Sequence, residues 1–270
     1  MAVLDDLFAE RTCVVTGGAS GIGAAICRAF AAKGARVVIL DLNPERAQAL
    51  ARTIKGGAAL ACDVSDDAQV DAAFDEIRVR AGGVDVLVNN AGHIADAEYR
   101  AMLERREASL GAPDPAPLDS TITMSTARWR RMIAVHLDGA FFCTRAALRL
   151  MRGQGNGAIV NIGSVIGLDG GEGIPHYAAA KAGILGLTRS IAREVAPLGI
   201  RVNAVAPGFI DTGMRDLLPP KIAERQVKGT PMGRLGHPDE IADAVLYLAG
   251  DHASFVTGQV LSVNGGYLSR

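Results

Sequence analysis

The chain alternates short apolar runs, rich in β-branched residues, with longer segments whose apolar positions recur at helical spacing. The first run, Thr12–Thr16, breaks into Gly17-Gly-Ala-Ser-Gly-Ile-Gly23 and continues as a predicted helix from Ala24 to Lys33. Arg36–Asp41 and Ala58–Cys62 predict the second and third strands, with a helix over Pro44–Ile54 between them. A capped helix from Ser65-Asp-Asp67 to Arg80 leads to a fourth strand at Val84–Asn90 and a small-residue turn at Ala91-Gly92. Strands follow over Gly157–Gly163, Ile200–Val205 and Gln259–Val263. Long helices are predicted over Thr126–Arg152, over Ile174–Glu194 and after Arg234–Glu240. Continuously apolar strands that alternate with helices predict an α/β chain built on a doubly wound parallel sheet of about seven strands.

In such sheets ligands sit beyond the carboxyl ends of the strands. Gly17, Asp41, Asp63 and Asn90 all fall at those ends. Strand, glycine turn and helix in succession form a phosphate cradle: glycines let backbone amides approach a pyrophosphate, and the helix N-terminus adds partial positive charge. Asp41 lies eighteen residues beyond Gly23, near the distance at which a carboxylate accepts hydrogen bonds from an adenosine ribose. A carboxylate there would repel the 2′-phosphate of NADP, and neither Ala19, Ser20 nor Leu42 supplies a cation for it, so the residues read as an NAD site. Asp41 also stands where it can cap the helix opened by Asn43-Pro44-Glu45, although Asn43 is better placed; the two roles are compatible.

Tyr177-Ala-Ala-Ala-Lys181 puts a phenol and an ammonium four residues apart. On a helix that spacing brings both to one face, about 6 Å apart along the axis. A nearby cation favours the phenolate, each pKa unit being worth about 1.4 kcal/mol, and a phenol so tuned can trade protons with an alcohol or carbonyl. Ser164, at the end of the 157–163 strand, can donate a hydrogen bond to a carbonyl oxygen as charge develops on it. His176 lies about 100° round the helix from Tyr177 and reads as a substrate-pocket or surface residue.

With 270 residues, 49% of them hydrophobic, the chain can bury a full core in one domain spanning 1–270. A net charge of −1 argues against nucleic acid or an anionic membrane as partner and for a small molecule. The opening residues Met1–Phe8 carry acid where a signal peptide carries base, and no apolar run would span a bilayer, so the expected location is cytoplasmic. Cys13, Cys27, Cys62 and Cys143 show neither a C-x-x-C pair nor ligand spacing; they read as small buried hydrophobes, and no metal site is expected.

Taken together, Thr16–Gly23, Asp63-Val64, Asn89–Gly92, Ser164, Tyr177 with Lys181, Pro207-Gly208 with Thr212, and Thr257–Gly266 make the chain similar to a short-chain dehydrogenase/reductase of the NAD-binding, single-domain type, with a Rossmann sheet. The resemblance covers nearly the whole chain. It implies hydride transfer between NAD and a secondary alcohol or ketone, with Ser164 orienting the oxygen, Tyr177 as acid or base, and Lys181 depressing the tyrosine pKa and holding the nicotinamide ribose. It also implies a pyrophosphate at Ser20 and Ile22, adenine between Asp63 and Val64, and the nicotinamide ribose near Asn90. The carboxamide would lie against Pro207, Ile210 and Thr212. A homotetramer is the implied assembly, with the helices at 126–152 and 174–197 against a second subunit. By likeness the substrate is a 3-oxoacyl thioester or a broad range of alcohols, cyclic ones included. A dinucleotide-sensing protein on the same fold is the alternative.

Two features depart from the family. The link His93–Ala127 is long, with a polar helical run over Asp96–Leu110 and a proline-rich connector at Gly111–Pro117, which suggests a lid or interface element. Its Arg100, Arg105 and Arg106 either greet an anionic substrate tail or keep the helix solvated. In Val135-His-Leu-Asp-Gly139, His136 replaces the family's asparagine, which anchors a water that passes protons toward the lysine. A histidine there can hold the same water and also charge between pH 5 and 8, adding a pH limb to activity, or it can serve geometry alone. Over Gly213–Pro231, around a predicted helix at Pro220–Lys228, Met214, Leu217 and Leu218 offer an apolar wall to the substrate or a packed loop helix.

Overall fold

A computed structural model describes residues 7–94, 96–110, 117–213 and 219–269. Seven strands, β1 (Thr12–Thr16), β2 (Arg36–Asp41), β3 (Gly57–Ala61), β4 (Val86–Asn89), β5 (Gly157–Ile162), β6 (Ile200–Pro207) and β7 (Val260–Val263), form one sheet in the order 3-2-1-4-5-6-7. Every pairing is parallel, and the registers Thr16↔Leu40, Asn89↔Asn161, Ile162↔Val205 and Pro207↔Val263 bring the carboxyl ends to one edge. The order reverses between β1 and β4, which opens a crevice there. This is the doubly wound α/β architecture that the alternation predicts.

The strand side chains alternate between two cores. Cys13, Val15, Val37, Ile39, Val86 and Val88 pack under α1 (Gly21–Ala32), while Val14, Val38, Leu40, Leu87 and Ile159 pack under α3 (Asp67–Ala81) on the opposite face. Between those helices, α2 (Pro44–Ala51) is capped by Asn43, whose Oδ1 accepts the Arg46 N–H at 2.9 Å. Burial on both faces explains why the strands read as unbroken apolar runs. All four cysteines are buried and free, and burial pushes their thiols upward, Cys27 to about 12.

The long link contains α4 (Ala97–Ser109) and a one-turn α5 (Ser120–Thr123). Residues 111–116 of the expected connector lie outside the described residues. The helix expected over 126–152 is interrupted: α6 (Thr126–Ile133) passes through a π-helical segment, Ala134–Asp138, before α7 (Gly139–Gln154). The Gly139 N–H reaches the Ala134 carbonyl, five residues back. That wider turn carries His136 and packs on α9 (Pro175–Val195) where Gly183 leaves room for the Leu137 side chain. A short α8 (Ile166–Asp169) precedes α9; α10 (Pro220–Gly229) and α11 (Pro238–Ala249) complete the helices used below.

A buried polar chain ties the sheet to these helices. Asn89 Nδ2 donates to Thr144 Oγ1 of α7 and to Asn161 Oδ1 of β5, both at 2.8 Å, and Asn161 Nδ2 donates to Thr188 Oγ1 of α9 at 2.8 Å. Hydrogen bonds chained through a buried site in this way favour one relative placement of their elements. Here they set the helices that carry His136, Tyr177 and Lys181.

Candidate active site

A cleft of about 850 Å³ runs along the carboxyl edge of the sheet. It is lined by Gly17, Ser20, Ile22, Asp41, Asp63, Val64, Asn90, His136, Ser164, Tyr177, Lys181, Pro207, Ile210 and Thr212, so every residue singled out from the sequence for cofactor or chemistry meets in one place. Gly17 has φ +59°, and a Cβ on it would strike the backbone of Ala91. Asn90 staples that turn from the other side, its Nδ2 donating to Thr16 O at 3.0 Å and Gly17 O at 2.9 Å. The first turn of α1 holds no acid, and Ser20, its N-cap, makes no side-chain cap bond. The cradle therefore offers backbone N–H groups and a helix dipole to an anion, which suits a dinucleotide pyrophosphate.

Asp41 is not the helix cap. Its Oδ2 accepts from Ala19 N and its Oδ1 from Asn43 N, each at 2.9 Å, so it fastens the glycine turn to the start of α2 while lining the cleft. Arg46, in the first turn of α2, lines the same end and adds a cation that the glycine turn itself lacks. The Ser65 hydroxyl, donating to Asp63 Oδ1 at 2.6 Å, holds the Asp63 carboxyl below its usual range.

At the other end Ser164 closes β5, and its Oγ accepts from Ile166 N at 3.1 Å, which turns the chain into α8. Pro175 at the first turn of α9 suits a helix start. Lys181 is buried and donates from Nζ to Ile162 O at 2.8 Å, with the ammonium 5.7 Å from the Tyr177 ring centroid. Burial lowers the lysine pKa to about 8. The expectation that Lys181 depresses the phenol is not met in the open cleft: burial pushes Tyr177 up to about 12, against a downward pull from the Ser164 side chain. Desolvation of the phenolate sets the direction, and the Lys181 ammonium is turned toward the Ile162 carbonyl.

The His136 ring stands edge-on to Tyr177 at 5.4 Å, with Nε2 2.8 Å from the His93 carbonyl oxygen and 3.0 Å from its N–H. Gly92 makes room for this ring, since a Cβ there would collide with it. Burial, then Lys181, lowers the His136 pKa to about 3. The pH limb expected between 5 and 8 is thus contradicted; the imidazole stays neutral there. A cavity of about 10 Å³ lies between His136, Lys181, Asn89 and Thr16, and His136 Nδ1 and Asn89 Oδ1, both buried, have no hydrogen-bond partner among the described residues. His176 is a further correction. It is fully buried and does not line the cleft, because α9 turns that face into the protein.

Tyr99 and Leu103 of α4, with Ile94, Ile166 and Ile174, wall the end of the cleft around Tyr177. The sequence reading missed them, although Tyr99 and Leu103 stand four apart, the spacing of a helix face. Met214, Leu217 and Leu218 lie outside the described residues. Among the described residues no group of three His, Cys, Asp or Glu side chains could hold a metal, and no helix is long and apolar enough to cross a membrane.

A family model described as enoyl-(acyl carrier protein) reductase matches residues 17–268. The chain belongs to the short-chain dehydrogenase/reductase family. A cis-4-hydroxycyclohexanecarboxylate dehydrogenase from Sinomonas cyclohexanicum is 43% identical over 268 residues, 98% of this chain and 99% of its own. A 3-oxoacyl-[acyl-carrier-protein] reductase from Thermotoga maritima is 38% identical over 260 residues, 95% of this chain and 97% of its own. An uncharacterized oxidoreductase of Mycobacterium bovis is 42% identical, with 96% and 98% covered. As a short-chain dehydrogenase/reductase the chain is an oxidoreductase that interconverts secondary alcohols and ketones; relatives of full length favour this over a sensing role.

Proposed function

We propose that the enzyme uses NAD and that Ser164, Tyr177 and Lys181 are its reacting corner, acting on a cyclic secondary alcohol or its ketone. The convergence of those three side chains at the sheet edge, beside the glycine cradle, carries the reading. Bound NAD supplies the hydride acceptor, or in the reduced form the donor. The Ser164 hydroxyl donates to the substrate oxygen, and Tyr177 Oη gives a proton to that oxygen in reduction or takes it in oxidation. Lys181, charged at neutral pH with a pKa of about 8, holds ribose hydroxyls and offsets negative charge as the phenol ionises. His136 keeps the strand-end backbone at His93 in place and faces the small cavity through which a water could pass a proton to Lys181.

Asp41 at the ribose end supports NAD, with Ser20, Ile22, Asp63, Val64, Asn90, Pro207, Ile210 and Thr212 along the remainder of the cofactor. Arg46 at the same end favours a second reading, NADP. Side-by-side affinities decide it: NAD should bind at least about tenfold tighter, as like-charge repulsion at a ribose site implies, and tighter NADP overturns the choice. For the substrate, the apolar wall of Ile94, Tyr99, Leu103 and Ile174 and the relative acting on 4-hydroxycyclohexanecarboxylate support a ring. The reductase relatives acting on 3-oxoacyl thioesters support the second class. We also read the chain as one catalytic domain, a cytoplasmic homotetramer. Trp129 and Phe141, 40% and 42% exposed on α6 and α7, are the surface that a neighbouring subunit would cover. NADH oxidation across cyclic ketones and acetoacetyl thioesters tests the reading; turnover of the thioester alone would reject the ring.

A further inference from the structure

Among the described residues four cations line the cleft, and two have an evident partner: Arg131 lies 3.8 Å from Asp63, and Lys181 is bonded to the Ile162 carbonyl. Arg46 stands with Asp41 at the cofactor end, away from Tyr177. Arg100 is the fourth. It is exposed on the cleft side of α4, between Tyr99 and Leu103, and has no ion pair among the described residues. The charges that fasten α4 are others: Arg128 grips Asp96 through two bonds of 2.7 and 2.8 Å, Arg106 reaches Glu172 at 2.8 Å, and Glu107 Oε1 accepts the Lys221 N–H at 2.8 Å. Met102 and Leu103 are buried against Ile174 and Ile222. The helix is therefore a fixed wall, tied to α6, to the loop before α9 and to α10. It presents a guanidinium that no described carboxylate pairs with.

We propose that Arg100 recognises a carboxylate on the substrate, at the end of the molecule remote from the reacting carbon. This rests on the cyclic-alcohol reading above. Tyr177, Tyr99, Leu103 and Arg100 line one cleft, and of the four only Arg100 is exposed: Tyr177 would meet the oxygen, Tyr99 and Leu103 would cover an apolar ring, and Arg100 would meet the acid. A guanidinium binds a carboxylate through charge-assisted, forked hydrogen bonds, and presenting it from an anchored helix spares the ordering cost of a loop. Its exposure keeps the group hydrated until substrate arrives, so the interaction selects acids over neutral analogues without leaving a buried charge in the free enzyme.

The test is kcat/KM for NADH-dependent reduction of 4-oxocyclohexanecarboxylate and of its ethyl ester, by the native enzyme, Arg100→Met and Arg100→Lys. The native enzyme should prefer the acid by about tenfold or more, the usual size of a hydrogen bond to a charged group. Arg100→Met should collapse the acid-to-ester ratio, chiefly through KM for the acid, and Arg100→Lys should restore part of it. The preference should also shrink as salt is raised. Because the ester is measured on the same protein, a general loss of folding cancels from the ratio. Equal handling of acid and ester by the native enzyme, or a ratio that Arg100→Met leaves unchanged, overturns the carboxylate assignment alone. Reduction of neither ring ketone, with a thioester turned over, overturns the cyclic-alcohol reading and this inference with it.

Discussion

Tyr177 and His136 share an edge-on contact, and burial moves their proton affinities in opposite directions, the phenol to about 12 and the imidazole to about 3. Both are neutral at pH 7 for one reason: neither charge is welcome in that corner. An unfolded histidine binds a proton below about 6.5, whereas His136 in the fold does not until about pH 3. Between those values the unfolded chain holds more protons, so stability falls as the medium is acidified, by at most about 1.4 kcal/mol per pH unit. Melting temperatures of the native protein and His136→Asn from pH 7 to 4 should show a shallower acid decline in the variant; parallel curves would reject a buried neutral imidazole. Ser164→Ala should lower kcat by about 10²–10³, the range for loss of one preorganised donor to a developing oxyanion, and stopped-flow or steady-state rates check it. Individual residues were the most legible part of this chain, since Gly17, Asp41, Ser164, Tyr177 and Lys181 each carry a side chain or a missing one that only a few chemistries use. Their electrostatics were not legible, because desolvation depends on how deep the fold places them.

Among the elements, α4 gives the long link between β4 and α6 a use by closing one side of the cleft. Its existence showed in the sequence through the polar helical run over Asp96–Leu110, but its inward face did not, since arginines and glutamates hide the Tyr99–Leu103 pair in the periodicity. The π-helical turn at Ala134–Asp138 was equally hidden: one extra residue in a helix leaves no mark on apolar spacing over so short a stretch. Asp96 serves both the helix start, through the Tyr99 N–H at 2.7 Å, and the pair with Arg128. Asp96→Ala should therefore cost about 1–3 kcal/mol, a lost cap plus a partly buried arginine without its carboxylate, read from the urea midpoint. The same variant should raise KM for the ketone more than it lowers kcat, because it loosens a wall and leaves Tyr177 in place. A pure loss of kcat would contradict the role of α4 as a substrate wall.

Over the molecule as a whole, the reversal of strand order between β1 and β4 does most to locate function; the alternation of elements and the glycine turn made the doubly wound sheet readable, while the strand order itself came from the fold. Assembly is a matter of which apolar side chains face a partner, and a single chain's periodicity cannot separate those from side chains facing its own sheet. Light scattering should give a mass near four times 28.1 kDa if the Trp129 and Phe141 surface is shared as proposed, and a persistent monomer would refute that. If the Tyr177 phenol exchanges the proton while the cofactor carries the hydride, Tyr177→Phe and the native enzyme should differ in a single turnover of bound NADH with a ketone. NADH fluorescence should report binding within a few-fold of native while its oxidation slows by about 10²–10⁴, the span of general acid catalysis. Hydride transfer by Tyr177→Phe at the native rate would contradict it.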